Sequence, residues 1–113
     1  MLLHVLMFRN ILIGSFTTPQ FVDIEPDVAA KQLARSFAIA YKDDPKKVLA
    51  YEDLVLYHIA EFDDESGKLT PLPEKVLLLN CFDEIQRVKV FFSNKAKEIV
   101  DKEDDKDGAP VTA

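Results

Sequence analysis

The run Leu54-Val55-Leu56-Tyr57-His58-Ile59-Ala60-Glu61-Phe62, followed by Asp63-Asp64-Glu65-Ser66-Gly67, decides how the rest of this chain is read. The first segment has the length and the β-branched and aromatic content of a strand. The second is turn chemistry, because Asp and Ser side chains bond their own backbone and Gly67 can take positive φ. Lys68 to Thr70 then returns as a short strand. Pro71 and Pro73 forbid ladder bonding until Lys75-Val76-Leu77-Leu78-Leu79 resumes an apolar strand.

Upstream, residues 2 to 8 form a short apolar run that reads as a strand buried on both faces, although length alone leaves a buried helix open. Gly14 breaks that pattern, Thr17-Thr18-Pro19 is a turn, and Phe21 and Val22 make a brief extended piece. Asp27, just after Pro26, is placed to N-cap a helix running to about Tyr41. Its apolar face carries Ala30, Leu33, Ala34, Phe37, Ala38 and Tyr41, and its polar face Lys31, Gln32, Arg35, Ser36 and Lys42. Asp43-Asp44-Pro45 ends it, since the residue before proline avoids the helical region. A loop follows through Asp53.

Downstream, Asp83 with Gln86 resembles a capping box that opens a helix to about Lys102. Ile85, Val88, Phe92, Ala96 and Ile99 keep helical spacing, whereas Val90 and Phe91 fall off the stripe and suit a partner subunit. The spacing thus predicts an α+β fold: a small, mostly antiparallel sheet of three to four strands with two helices, the second long and C-terminal. Residues 1–100 form one domain, and residues 101–113 an acidic tail expected to be disordered, because it has no core-forming content.

The chain of 113 residues, 48% hydrophobic and 30% charged, suits a single globular domain. Its net charge of -6, from 14 Lys and Arg against 20 Asp and Glu, argues against nucleic-acid binding by bulk charge. The single Cys81 excludes an internal disulfide framework and a Cys-rich zinc site. The opening apolar stretch lacks a preceding positive region and stops at Arg9-Asn10, far short of the about 20 residues of a membrane span. A cytoplasmic protein with no membrane partner is expected.

Catalytic and metal motifs are sparse. Glu61, Asp63, Asp64 and Glu65 lack the ligand spacing of a calcium loop and read as a solvated turn. His4, His58 and Cys81 are scattered and make no metal-binding spacing, and His58 reads as a structural mid-strand histidine. No nucleophile elbow or Gly-rich phosphate loop is present, so neither an enzyme nor a cofactor is expected. The basic residues are more informative. Lys31, Arg35 and Lys42 share one side of the first helix, with Lys46 and Lys47 just beyond its end. Screening beyond about 8–10 Å lets such a patch contact phosphates on an acidic protein. Phe and Tyr side chains can stack on single-stranded bases, but most stand at core spacing.

Three stretches together resemble a known family: Gly14-Ser15-Phe16-Thr17-Thr18-Pro19-Gln20-Phe21, the helix from Ala30 to Phe37, and the strand and turn from Tyr57 to Gly67. They look like the small nonstructural protein of gokushovirus-type microviruses, the phage ORF5 family, over about residues 2 to 80. Ala60 stands where that family usually has Gly, and the helix from Asp83 and the tail have no counterpart. The resemblance implies a DNA-associated role in single-stranded genome synthesis or packaging, in the cytoplasm of a bacterial host.

Two functional expectations follow. One is a DNA-binding accessory protein, acting as a homo-oligomer through the strand 54–62 edge or the helix from Asp83, with Lys31, Arg35, Lys42, Lys46 and Lys47 on single-stranded DNA. The other is an interaction module for a phage or host replication protein without nucleic-acid affinity. Residues 101–107 carry five acids and two bases, a charge run that can compete with DNA for the lysines. Truncation after Val100 should then tighten single-stranded DNA binding, most at low salt. Fluorescence anisotropy across a salt series checks this, and affinity unchanged at every salt would leave the acids a solubilising role only.

Overall fold

A computed structural model describes residues 1–95. The ends of the helix and tail read from sequence, residues 96–113, lie outside the described residues. The elements run β1 (Leu2–Asn10), β2 (Ser15–Phe16), β3 (Gln20–Val22), α1 (Pro26–Asp43), α2 (Pro45–Leu49), β4 (Leu54–Asp63) and β5 (Leu69–Asn80). A third helix, α3, covers residues 81–95. The class is α+β and the sheet antiparallel, as read from sequence, but there are five strands and three helices among the described residues. Both additions are small pieces. The chain after Gly14 yields the two-residue β2, and the supposed loop after Pro45 coils into the five-residue α2, while the extended piece at Phe21 and Val22 is β3.

The sheet order is β2-β1-β4-β5, with β3 also on β1. The strand 54–62 is therefore an interior strand with a neighbour on each side, and it offers no edge to a partner; the sheet edges are β5 on one side and the short β2 and β3 on the other. β5 runs unbroken through Pro71 and Pro73, yet its pairing with β4 jumps from Thr70 and Pro71 to Val76. The two prolines thus interrupt the ladder without ending the strand, which an edge position permits.

Helix starts differ from the sequence reading by two or three residues. Pro26 occupies the first turn of α1 and Glu25 precedes it without a side-chain cap. Pro suits that position because its missing N–H has no helical partner there, so Asp27 lies within the first turn, where its charge meets the positive helix end. For α3 the cap is Asn80, whose Oδ1 accepts the Asp83 N–H at 3.3 Å, and not Asp83 itself. Between α1 and α2, Asp44 is extended at φ -147° and ψ 84°. Pro45 imposes that conformation on its predecessor and makes the corner.

All three helices lie on one side of the sheet. Leu6, Phe8, Leu56 and Leu79 meet Ala30 and Leu33 of α1. Beside them Phe37, Val48, Cys81, Ile85 and Val88 close a second cluster, which shares Phe8, Leu33 and Leu79 with the first. The core is therefore continuous. In α3, Ile85 and Val88 are buried while Val90 and Phe91 are exposed, as their helical spacing requires. Cys81 has no exposed surface, and burial, aided by nearby Glu84, pushes its thiol up to about 12.

Two outcomes follow. Cys81 should resist a thiol reagent near pH 8 in the native protein and react fully in denaturant, since only the thiolate attacks. Ile85→Ala should cost about 2–5 kcal/mol in a urea titration, the usual loss for a fully buried aliphatic side chain.

Candidate nucleic-acid interface

The side of the sheet away from the helices is lined with aromatic rings. Along β1, Leu3, Val5, Met7 and Arg9 alternate with the core residues and point to this second face. Their partners follow them: Phe62 across from Leu3, Ala60 and Phe21 from Val5, Tyr57 from Met7, and Val55 and Phe16 from Arg9. No element among the described residues contributes a core cluster here. The small side chains Val5, Val55 and Ala60 are buried beneath their larger neighbours, whereas Phe16 and Phe21 are exposed, the latter by half.

The rings form two pairs. Phe16 and Tyr57 stand 6.1 Å apart, and Phe21 and Phe62 5.2 Å, each edge to face. Two cations lie over them: the Arg9 guanidinium 5.2 Å from the Phe16 centroid and Lys75 Nζ 5.4 Å from that of Tyr57. Such contacts hold an aromatic in place while leaving the cation's other donors to solvent.

Local backbone chemistry builds this surface. Asn10 Oδ1 accepts the N–H groups of Leu12 and Ile13 at 3.0 and 3.3 Å. Gly14 takes φ +69°, a conformation that favours glycine, and its N–H bonds Asn10 O at 2.8 Å. The chain thereby reverses so that Phe16 falls beside Arg9. The turn also displays Ile11, Leu12 and Ile13, each more than half exposed.

The bases singled out from sequence belong to the opposite, helical side. Lys31 and Arg35 line a groove of about 500 Å³ between α1, β5 and α3, together with Asp27, Glu84 and Arg87. Arg87, which sequence spacing gave no reason to group with them, sits 3.4 Å from Glu84. Lys47 lines a different cavity with Ser36, Ala40 and Tyr51. Ser36 and Ala40 lie roughly 140–180° around α1 from Lys31, by the helical repeat of about 100° per residue. Lys42 and Lys46 are exposed at the far end of α1 and in α2. The structure therefore brings Lys31 and Arg35 together, adds Arg87, and sets Lys47 apart. No sequence signal marked the aromatic face, because Phe16, Phe21, Tyr57 and Phe62 come from three strands and meet only through register.

A family model for the phage ORF5 protein matches residues 7–84, from β1 into α3, and the chain belongs to that family. It is a phage protein, as the sequence resemblance implied. No curated protein and no solved structure matches the chain. No helix among the described residues is long and apolar enough to cross a membrane.

Lys31, Arg35 and Lys42 are exposed and make no ion pair among the described residues. Reversing all three to Glu should change folding stability by no more than about 1.5 kcal/mol, about 0.5 kcal/mol for each substitution. Thermal and urea unfolding followed by circular dichroism check this.

Proposed function

We propose that this phage protein is a non-enzymatic accessory factor that binds single-stranded DNA during synthesis or packaging of a microvirus genome in the host cytoplasm. The observation that carries this reading is the sheet face that no element among the described residues covers, with two aromatic pairs and a cation seated on each of two rings. Unpaired bases present flat π faces, and each base stacked on an aromatic side chain contributes about 1–3 kcal/mol. Stacking also answers the charge problem. Residues 1–95 hold 11 Lys and Arg against 14 Asp and Glu, so affinity drawn mainly from phosphates would work against the body's own field. A platform of rings needs few phosphate contacts, and Arg9 and Lys75 stand where a backbone beside stacked bases would pass.

The helical bases Lys31, Arg35, Lys42, Lys46 and Lys47 are the competing site within the same function. The two surfaces differ in salt dependence. Two phosphate contacts give a log–log slope of about -1.4 for single strands, and five give about -3.5. The small sheet and the apolar residues left exposed support action as a homo-oligomer, for which the β5 edge and the exposed Val90 and Phe91 of α3 offer surfaces. A second reading, docking to a replication protein without DNA, is favoured by the exposed Ile11-Leu12-Ile13 turn.

Anisotropy with a labelled oligothymidylate tests the proposal. Phe21→Ala with Tyr57→Ala should weaken binding by at least about tenfold, with a shallow salt slope in the parent. The Lys31, Arg35 and Lys42 charge reversal should leave most of the affinity intact. Loss of binding in the charge-reversed protein alone moves the site to the helices. Absence of binding by the parent at low salt removes DNA from the function and leaves the docking reading.

A further inference from the structure

At the end of the sheet beyond the aliphatic core, on its helical side, three ligand-type side chains meet. His4 lies directly across from Glu61 in the β1–β4 ladder. His58 belongs to the same strand as Glu61, three residues earlier, and regular alternation would send the two to opposite faces. Ile59 has no partner in either ladder: β4 pairing passes from His58 to Ala60 against both β1 and β5. This bulge turns His58 onto the face of Glu61. Both imidazoles then address one carboxylate.

We propose that His4, His58 and Glu61 together bind one divalent transition-metal ion of the zinc type, clipping β1 to β4. His4 Nδ1 lies 2.7 Å from Glu61 Oε2 and 3.0 Å from Oε1, and His58 Nε2 lies 3.1 Å from Oε1. One donor atom from each residue falls within 4.8 Å of the other two. Ligands about 2.0–2.1 Å from a tetrahedral zinc stand roughly 3.3 Å from one another; the His–Glu separations already match this, and the three donors together close by at most about 1.5 Å to hold the ion. The imidazole rings are 5.2 Å apart and nearly perpendicular.

The hydrogen-bonding state of the cluster points the same way. Glu61 Oε2 is buried with no hydrogen-bond partner; His4 Nδ1 is near it but misaligned. His58 Nε2 faces both Glu61 Oε1 and the Ala60 carbonyl, the latter at 3.1 Å, so two acceptors crowd one ring nitrogen. A cation satisfies such lone pairs without needing a donor hydrogen. Two imidazoles and a carboxylate suit zinc and its neighbours rather than magnesium or calcium, which prefer all-oxygen shells. The side chains of His4 and Glu61 are about one-fifth exposed, enough for an ion to enter. Three protein ligands leave a fourth position for water or for a donor from another molecule.

Titration of the full, metal-free chain with zinc against a chromophoric chelator tests the site. One equivalent should bind, raise Tm with zinc concentration, and weaken at least about tenfold in His4→Gln and in Glu61→Gln. Circular dichroism confirms that these variants fold. His4 and His58 are the only histidines in the chain, so their ring resonances in NMR spectra of the parent decide independently: both must shift with the first equivalent. No zinc uptake at micromolar concentration overturns the proposal. So does uptake that leaves both rings unmoved or persists unchanged in the folded variants, which would place the ion on the acidic tail.

Discussion

Everything in this molecule hangs on β4 having a strand on each edge and helices on only one side. Its backbone N–H and C=O groups are taken up by β1 and β5, which is the condition for burying Val55, Leu56 and Ala60 without orphaned polar groups. One face then supplies Leu54 and Leu56 to the core beneath α1, α2 and α3. Among the described residues the other face has no second layer, and it is held by aromatic pairs and the cations above them.

The uncovered face and the acidic composition are linked. An exposed apolar sheet invites association, and a net charge of -6 opposes it by mutual repulsion. The same charge restricts how the protein can hold a polyanion. Contacts that rely on π faces and a few well-placed cations survive in a negative field better than a broad basic patch does. Where the bases do gather, in the groove beneath Lys31 and Arg35, Asp27 and Glu84 stand among them and dilute the potential.

The sites were legible to different degrees. Lys31 and Arg35 are four residues apart in one helix, and a repeat of 3.6 residues per turn is enough to put them together. Arg87 joins them from another helix because β5 turns directly into α3 at Asn80, a junction set by tertiary packing. Lys47 departs from the group because the proline corner at Asp44-Pro45 redirects α2. The aromatic residues looked like core positions, since strand alternation reveals that a side chain shares a face with its neighbours but not whether anything covers that face.

The sequence determined the local elements. Composition and spacing were sufficient for β1, β4, the β4–β5 turn and α1, because each depends on contacts within a few residues. The ORF5 resemblance rested on the particular residues of three stretches, 14–21, 30–37 and 57–67. Strand count, the interior position of β4, the true helix caps and the unlayered sheet face were decided by the tertiary structure, as each depends on which distant segments pair. The histidines are the sharpest case. Separated by 54 positions, His4 and His58 look unrelated along the chain. One unpaired residue, Ile59, shifts the period of β4 by a single step, and a slip of one residue moves a side chain to the other face of the sheet. Alternation read from sequence assumes an unbroken ladder; the bulge is a property of three strands paired together.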